Sequence, residues 1–185
     1  MRPRYKQSLT ALRTAAWAVL CALLMAGCGN GEVPGTEAEP AVPVEPVATE
    51  HNGVWHVKLT ANDAMRYNAD RFELPAGAEV RLTLVNIGSK PRQTNGHNWV
   101  LLPRGADPYD LLYAEAASLE NDFVPPAWEE RVLAHTRVLG PGQQQTITFT
   151  APSEPGEYRY VCTFPAHFES GMKGTLVITP AGERL

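Results

Sequence analysis

Cys162, His167 and Met172 stand five positions apart in Cys162-Thr-Phe-Pro-Ala-His167-Phe-Glu-Ser-Gly-Met172, so one short segment carries a thiol, an imidazole and a thioether. Soft sulfur donors combined with imidazole select copper, and a His2Cys set with a long axial Met suits one-electron transfer. A second imidazole is available at His97, in Gly96-His97-Asn98-Trp99-Val100, where a glycine and a histidine precede an apolar run that enters a buried strand. Taken singly, a buried Cys is a small core hydrophobe and a Met is a gap filler. Taken together they read as ligands. The alternating run Glu157-Tyr158-Arg159-Tyr160-Val161 is a strand that delivers Cys162 into a loop where Pro165 resists helix and Gly171 permits a tight return. Binding needs neutral imidazoles and an ionised thiol, so copper affinity should fall as acidity rises.

The elements that must position these groups are strands. Candidates are residues 54–59, 79–86, 98–102, 132–138, 146–150, 157–162 and 174–179, separated by Gly and Pro. Val80, Leu82 and Leu84 alternate with Arg81 and Thr83, so one face of that strand is buried and the other wet. Many short strands of this kind imply an all-β, Greek-key β-sandwich. Between Pro103 and Arg131 the period changes. Asp107 can cap a helix with Pro108 at its first position, and Leu111, Leu112, Ala116 and Leu119 repeat at helical spacing, which predicts a helical flap outside the sandwich. Tyr109, Tyr113, Phe123 and Trp128 are expected in the core or its rim, and the flap is read as cover for the barrel in preference to a docking surface.

The first fifty residues are not built to pack. Arg2, Arg4, Lys6 and Arg13, an apolar stretch over 15–25, and Ala26-Gly27-Cys28 describe an export signal too short to span a membrane. Cys28 after Ala-Gly resembles a bacterial lipobox, which implies a signal peptide over 1–27 and acylation of Cys28; the alternatives are secretion with Cys28 free, or an uncleaved anchor. Five glutamates and four prolines between Glu32 and Glu50 make residues 28–52 a flexible tether, which leaves one domain over 53–185. Of the cysteines, Cys21 lies in the signal, Cys28 at the lipid and Cys162 at the metal, so no disulfide is expected. The chain carries a net charge of −4, and loss of the basic signal takes it to about −8, which argues against nucleic acid as a partner.

At these residues a family resemblance becomes specific. Asn62-Asp63-Ala64-Met65-Arg66-Tyr67-Asn68, Gly96-His97-Asn98-Trp99-Val100-Leu101, Arg131-Val132-Leu133-Ala134-His135-Thr136, Tyr160-Val161-Cys162-Thr163-Phe164-Pro165 and Met172-Lys173-Gly174-Thr175-Leu176 resemble azurin-type cupredoxins from about Val57 to Thr179. The chain departs from azurins in two ways. The stretch between His167 and Met172 is one residue longer, and the azurin disulfide near the amino end has no counterpart. The longer loop and the lipidated start are more similar to the membrane-tethered auracyanins. The resemblance implies one type 1 copper ion held by His97, Cys162, His167 and Met172, with the Gly96 carbonyl as a fifth contact that the longer loop leaves open. It further implies that Asn98 ties the ligand loops together, and that Thr163 or Phe164 places amide and apolar groups near the sulfur. Electrons are then expected to pass by His167 through a patch of Pro165, Ala166 and Phe168; the alternative for Phe168 is simple packing. His135 matches a surface histidine that is not a ligand, and His51 and His56 are assigned no chemistry.

The function implied is that of a single-electron shuttle. It is expected to be an exported, membrane-anchored monomer facing the periplasm or cell exterior, with redox proteins as partners: a quinol-oxidising complex, a cytochrome c or a terminal oxidase. It is not expected to be an enzyme or to take a small-molecule substrate, because catalytic relatives of this fold need further copper sites and the additional His clusters are missing. Copper binding for delivery is the alternative, disfavoured because only four Met are present and Met1 is one of them.

Overall fold

The computed structural model describes residues 46–182. The signal segment, Cys28 and nearly all of the expected tether lie outside the described residues. Period-two alternation builds two five-stranded sheets. In the first, β1 (Ala48–His51), β2 (Val54–Asn62), β5 (Glu79–Asn86) and β8 (Gln144–Thr150) lie in that order, with β3 (Arg66–Tyr67) paired to β2. In the second the order is β4 (Arg71–Pro75), β10 (Lys173–Thr179), β9 (Gly156–Val161), β6 (Val100–Leu101) and β7 (Ala134–His135). The pairs β2–β5 and β4–β10 are parallel and the other ladders antiparallel, so the chain crosses between sheets as a Greek-key sandwich requires.

Val80, Leu82 and Leu84 of β5 are buried, as their alternation predicts, and meet Leu59, Leu74, Trp99, Tyr160, Leu176 and Ile178 in the interior between the sheets. Trp99 fills the space between Tyr160 and Phe149, its ring centroid 5.9 Å and 5.8 Å from theirs. The second sheet is covered on its outer face as well. Leu101 and Tyr160 point into the main core, while their neighbours Val100 and Val161 join Leu111, Val124, Trp128 and Phe168 in a second cluster beneath the flap. Burial on both faces explains why β6 is a continuous apolar run with no alternation.

Two expectations need correction. The domain begins before residue 53, because β1 pairs with β2 from Ala48↔Val57 to His51↔Val54 and the Lys58 amide donates to the Val47 carbonyl at 2.9 Å. The signal was present in the sequence: Asn52-Gly53 takes positive φ at both residues, 52° and 81°, the two-residue turn whose twist matches a hairpin. The flap is also less helical than its periodicity predicts. Asp107 does cap a helix, accepting from the Tyr109 amide at 3.0 Å, but that helix, α2 (Pro108–Leu112), stops after five residues. Ala116 turns the chain at φ 61°, and the flap continues as a 3-10 turn (Leu119–Asn121) and α3 (Pro126–Glu129). Its apolar residues are collected by tertiary packing instead of by one helix face.

Nothing stands within 4 Å of a Cβ added at Gly53, so a substitution there tests backbone conformation alone. Gly53→Ala is expected to destabilise the domain by about 1 kcal/mol in equilibrium urea unfolding, with the denaturant slope unchanged.

Candidate metal centre

Two loops bring the predicted donors together. His97 follows a short helix, α1 (Arg92–Asn95), and is fixed by an isolated bridge to Leu139: the His97 amide donates to the Leu139 carbonyl at 3.1 Å, and the reverse bond is 2.8 Å. The chain passes Gly96 so closely that an added Cβ would stand 2.6 Å from the Arg92 carbonyl oxygen and collide with Val138. Only glycine fits there. The second loop joins β9 to β10 and ties itself off: the Cys162 amide donates to the Met172 carbonyl at 3.1 Å, and the Met172 amide to the His167 carbonyl at 2.9 Å. Cys162 and Met172 thus stand at facing ends of one ladder.

Ligand-type atoms of His97, Cys162 and His167 all lie within 4.8 Å of one another, and all three residues are buried. The two Nδ1 atoms are 3.2 Å apart, and Cys162 Sγ is 3.5 Å from His167 Nδ1. Burial holds His97 down to about 4, against the opposing pull of the Asp63 carboxylate and the Asn62 main chain. His167 is likewise held to about 4 by burial, then by its neighbour His97 and by Lys90. Burial pushes the Cys162 thiol up to about 12, although main-chain N–H groups of Asn98 and Phe164 favour the thiolate. This set of two neutral imidazoles and a thiol whose proton only a bound cation would displace fits a soft metal such as copper and offers little to a hard one. Met172, also fully buried, adds a thioether in the same loop.

Asn98 joins the two loops. Its Oδ1 accepts from the Thr163 amide at 2.9 Å, and its Nδ2 donates to Thr163 Oγ1 at 2.7 Å. The main-chain N–H groups of Asn98 and Phe164 favour the ionised sulfur, whereas that of Thr163 serves Asn98. Pro165 and Ala166 are exposed above His167, but Phe168 is not part of that surface: it is 4% exposed and packs in the second cluster, edge-on to Tyr109 at 5.4 Å. His135 pairs with Glu129 at 3.1 Å, apart from the ligand group.

Asp63 lies at the start of the turn after β2. Its carboxylate accepts from the Ser89 amide at 2.9 Å, the Ser89 hydroxyl at 2.7 Å, the Lys90 amide at 3.3 Å and Asn95 Nδ2 at 3.3 Å, which pins the segment leading to His97. No periodicity marks such a contact, because its partners are 26 to 32 residues away.

The chain matches copper binding proteins of the plastocyanin/azurin family over residues 54–179. Auracyanin-B of Chloroflexus aurantiacus is 42% identical over 122 residues, covering 65% of this chain and 50% of its own, so the match spans about half the length of that relative. Azurin iso-2 of Methylomonas sp. strain J is 37% identical, with 64% of this chain and 92% of the relative covered. Among solved structures, a dithionite-reduced auracyanin from the photosynthetic bacterium Roseiflexus castenholzii superposes with a TM-score of 0.58 at 30% identity, covering 71% of this chain and all of the other.

The four donors to Asp63 lower its carboxyl from 3.8 to about 2, the Ser89 amide foremost. Its contribution to stability is therefore complete above about pH 4, where the unfolded chain is also ionised, and is lost as pH falls through about 2. Asp63→Asn is expected to unfold at lower urea than the parent near neutral pH, and the gap should close between about pH 4 and pH 2.

Proposed function

We propose, for a chain that belongs to the plastocyanin/azurin family of copper-binding proteins, that it is a single-electron carrier with copper held by His97, Cys162, His167 and Met172. The observation that carries this reading is the convergence of three buried donors within 4.8 Å, closed by the Cys162–Met172 ladder. Bound copper supplies a one-electron Cu(II)/Cu(I) couple. The protein's part is to hold the donors still. Cys162 gives up its proton on binding, and the N–H groups of Asn98 and Phe164 then steady the negative sulfur. His97 and His167 are kept neutral and bind without losing a proton from the imidazolium form. Main-chain bonds to Leu139 on one side and Met172 on the other leave little freedom for rearrangement between oxidation states.

Complete burial favours carriage of electrons over delivery of metal. His97, Cys162 and Met172 are 0% exposed and His167 2%, so no ligand is open to exchange with an acceptor protein. Electrons are proposed to pass on the His167 side, beneath the exposed Pro165 and Ala166. We further propose acylation of Cys28, a tether to the membrane, export to the periplasm or cell exterior, and exchange with redox proteins such as a quinol-oxidising complex, a cytochrome c or a terminal oxidase. No small-molecule chemistry is assigned to the site.

Titration with Cu(II) tests the reading. One equivalent should give an intense blue thiolate band with narrow copper hyperfine splitting, both lost reversibly with ascorbate. Cys162→Ser is expected to abolish the band, and a blue Cys162→Ser protein would sink the ligand set. Met172→Gln should keep the colour and lower the reduction potential, since the weak axial donor tunes the couple without forming the band.

A further inference from the structure

One flap residue, Asp122, makes four hydrogen bonds to the segments that flank the proposed ligands. Asp122 ends the 3-10 turn in the left-handed region at φ 54°, and that turn aims its carbonyl and its carboxylate in different directions. The carbonyl accepts from Asn98 Nδ2 at 2.8 Å and from Thr163 Oγ1 at 3.3 Å. The carboxylate accepts from the Val138 amide at 2.7 Å and from Arg92 Nη2 at 3.0 Å. Arg92 in turn donates from Nε to the Val138 carbonyl at 2.8 Å. Asp122 therefore holds the helix before His97, the residue before Leu139 of the His97–Leu139 bridge, the residue after His97 and the residue after Cys162.

The carbonyl contact fixes which way the Asn98 amide faces. With one Nδ2 hydrogen on Thr163 Oγ1 and the other on Asp122, Asn98 Oδ1 is left facing the Thr163 amide, 2.9 Å away. That bond fixes the peptide after Cys162, one residue before the Phe164 N–H that favours the ionised sulfur. Hydrogen bonds at a copper-bound sulfur tune the potential of the couple. We propose that Asp122 is a positioning residue for the copper centre: by clamping Arg92, Val138, Asn98 and Thr163 together it holds the amide donors on the Cys162 sulfur, and the flap serves as a strut that sets the reduction potential. This rests on the electron-carrier reading above.

The test compares copper-loaded and metal-free full-length chains of the parent, Asp122→Ala, Asp122→Gly and Asp122→Asn. Asn tolerates the left-handed backbone and keeps an acceptor for the Val138 amide, whereas Gly keeps only the backbone freedom. Asp122→Gly is expected to shift the thiolate band, lower the potential and release copper about ten-fold faster or more. In the metal-free protein the Thr163 and Phe164 amides should exchange hydrogen about ten-fold faster, with Asp122→Asn restoring most of each property. Asp122→Ala should do at least as much as Gly; if it does not fold, the Gly and Asn variants decide the matter. A Gly variant that loses thermal stability while band, potential and local exchange stay at parent values would overturn the proposal and leave Asp122 a structural residue only. A parent that is not blue would sink the copper reading, and this inference with it. A blue parent beside an unchanged Gly variant would sink this inference alone.

Discussion

Two imidazole nitrogens 3.2 Å apart and a sulfur 3.5 Å from one of them sit in an interior that disfavours charge on all three. Burial lowers both histidines to about 4 and raises the thiol to about 12, so the group is held neutral until a cation replaces the thiol proton. Such a cluster gains nothing from water and little from its own contacts. It persists because the loops that carry it are fastened elsewhere, by main-chain bonds and by polar side chains that are themselves satisfied. The sandwich is the means: β9 and β10 form the rigid ends between which Cys162 and Met172 face one another, and β6 carries the chain away from His97 into the core.

The fastening is distributed over both sides of the cluster. Asp63 pins the segment before His97 from the β2 side, and Asn98 pins the Cys162 loop to the segment after His97. Tyr67, from the short strand β3, donates its hydroxyl to the Asn98 carbonyl and so reaches the same residue from below. Each of these groups makes a bond that the others do not duplicate. The nine residues between Cys162 and Met172 would otherwise sample many conformations, and their ordering entropy must be offset by such contacts.

How far the sequence could be read depends on the range of the interaction concerned. The ligands of the β9–β10 loop were legible because they are local: strand, Pro165, Gly171 and donor spacing lie within a single turn of chain. The strands of the main core were legible from period two, and β5 was read to its residue limits. The flap was less so. Leu111, Leu112, Ala116 and Leu119 satisfy a helical period, yet Ala116 has a left-handed backbone and the residues reach the core through turns. Tertiary packing outweighs propensity in such a segment. The Asn52-Gly53 hairpin was readable and was obscured by the acidic, Pro-rich composition just before it. Asp63 and Asp122 were not readable as fasteners, because nothing in an isolated Asp indicates a partner 26 or 41 residues away.

Phe168 shows how the two least regular parts of the chain constrain one another. The four residues between His167 and Met172 form consecutive turns, with Ser170 N donating to the Ala166 carbonyl and Gly171 N to that of Phe168. Those turns direct Phe168 away from solvent and into the cluster of Leu111, Val124 and Trp128. Tyr109 meets its ring edge-on, Lys173 lies 4.5 Å from its centre, and Tyr113 donates to Glu169 at 3.1 Å on the next residue. A loop without that residue would leave a hole of aromatic size in the second cluster, and a flap of different shape would leave Phe168 in water; either loss is on the order of a few kcal/mol. Loop length and flap composition therefore belong to one packing unit, and a change in one must be matched in the other if His167 is to keep its place.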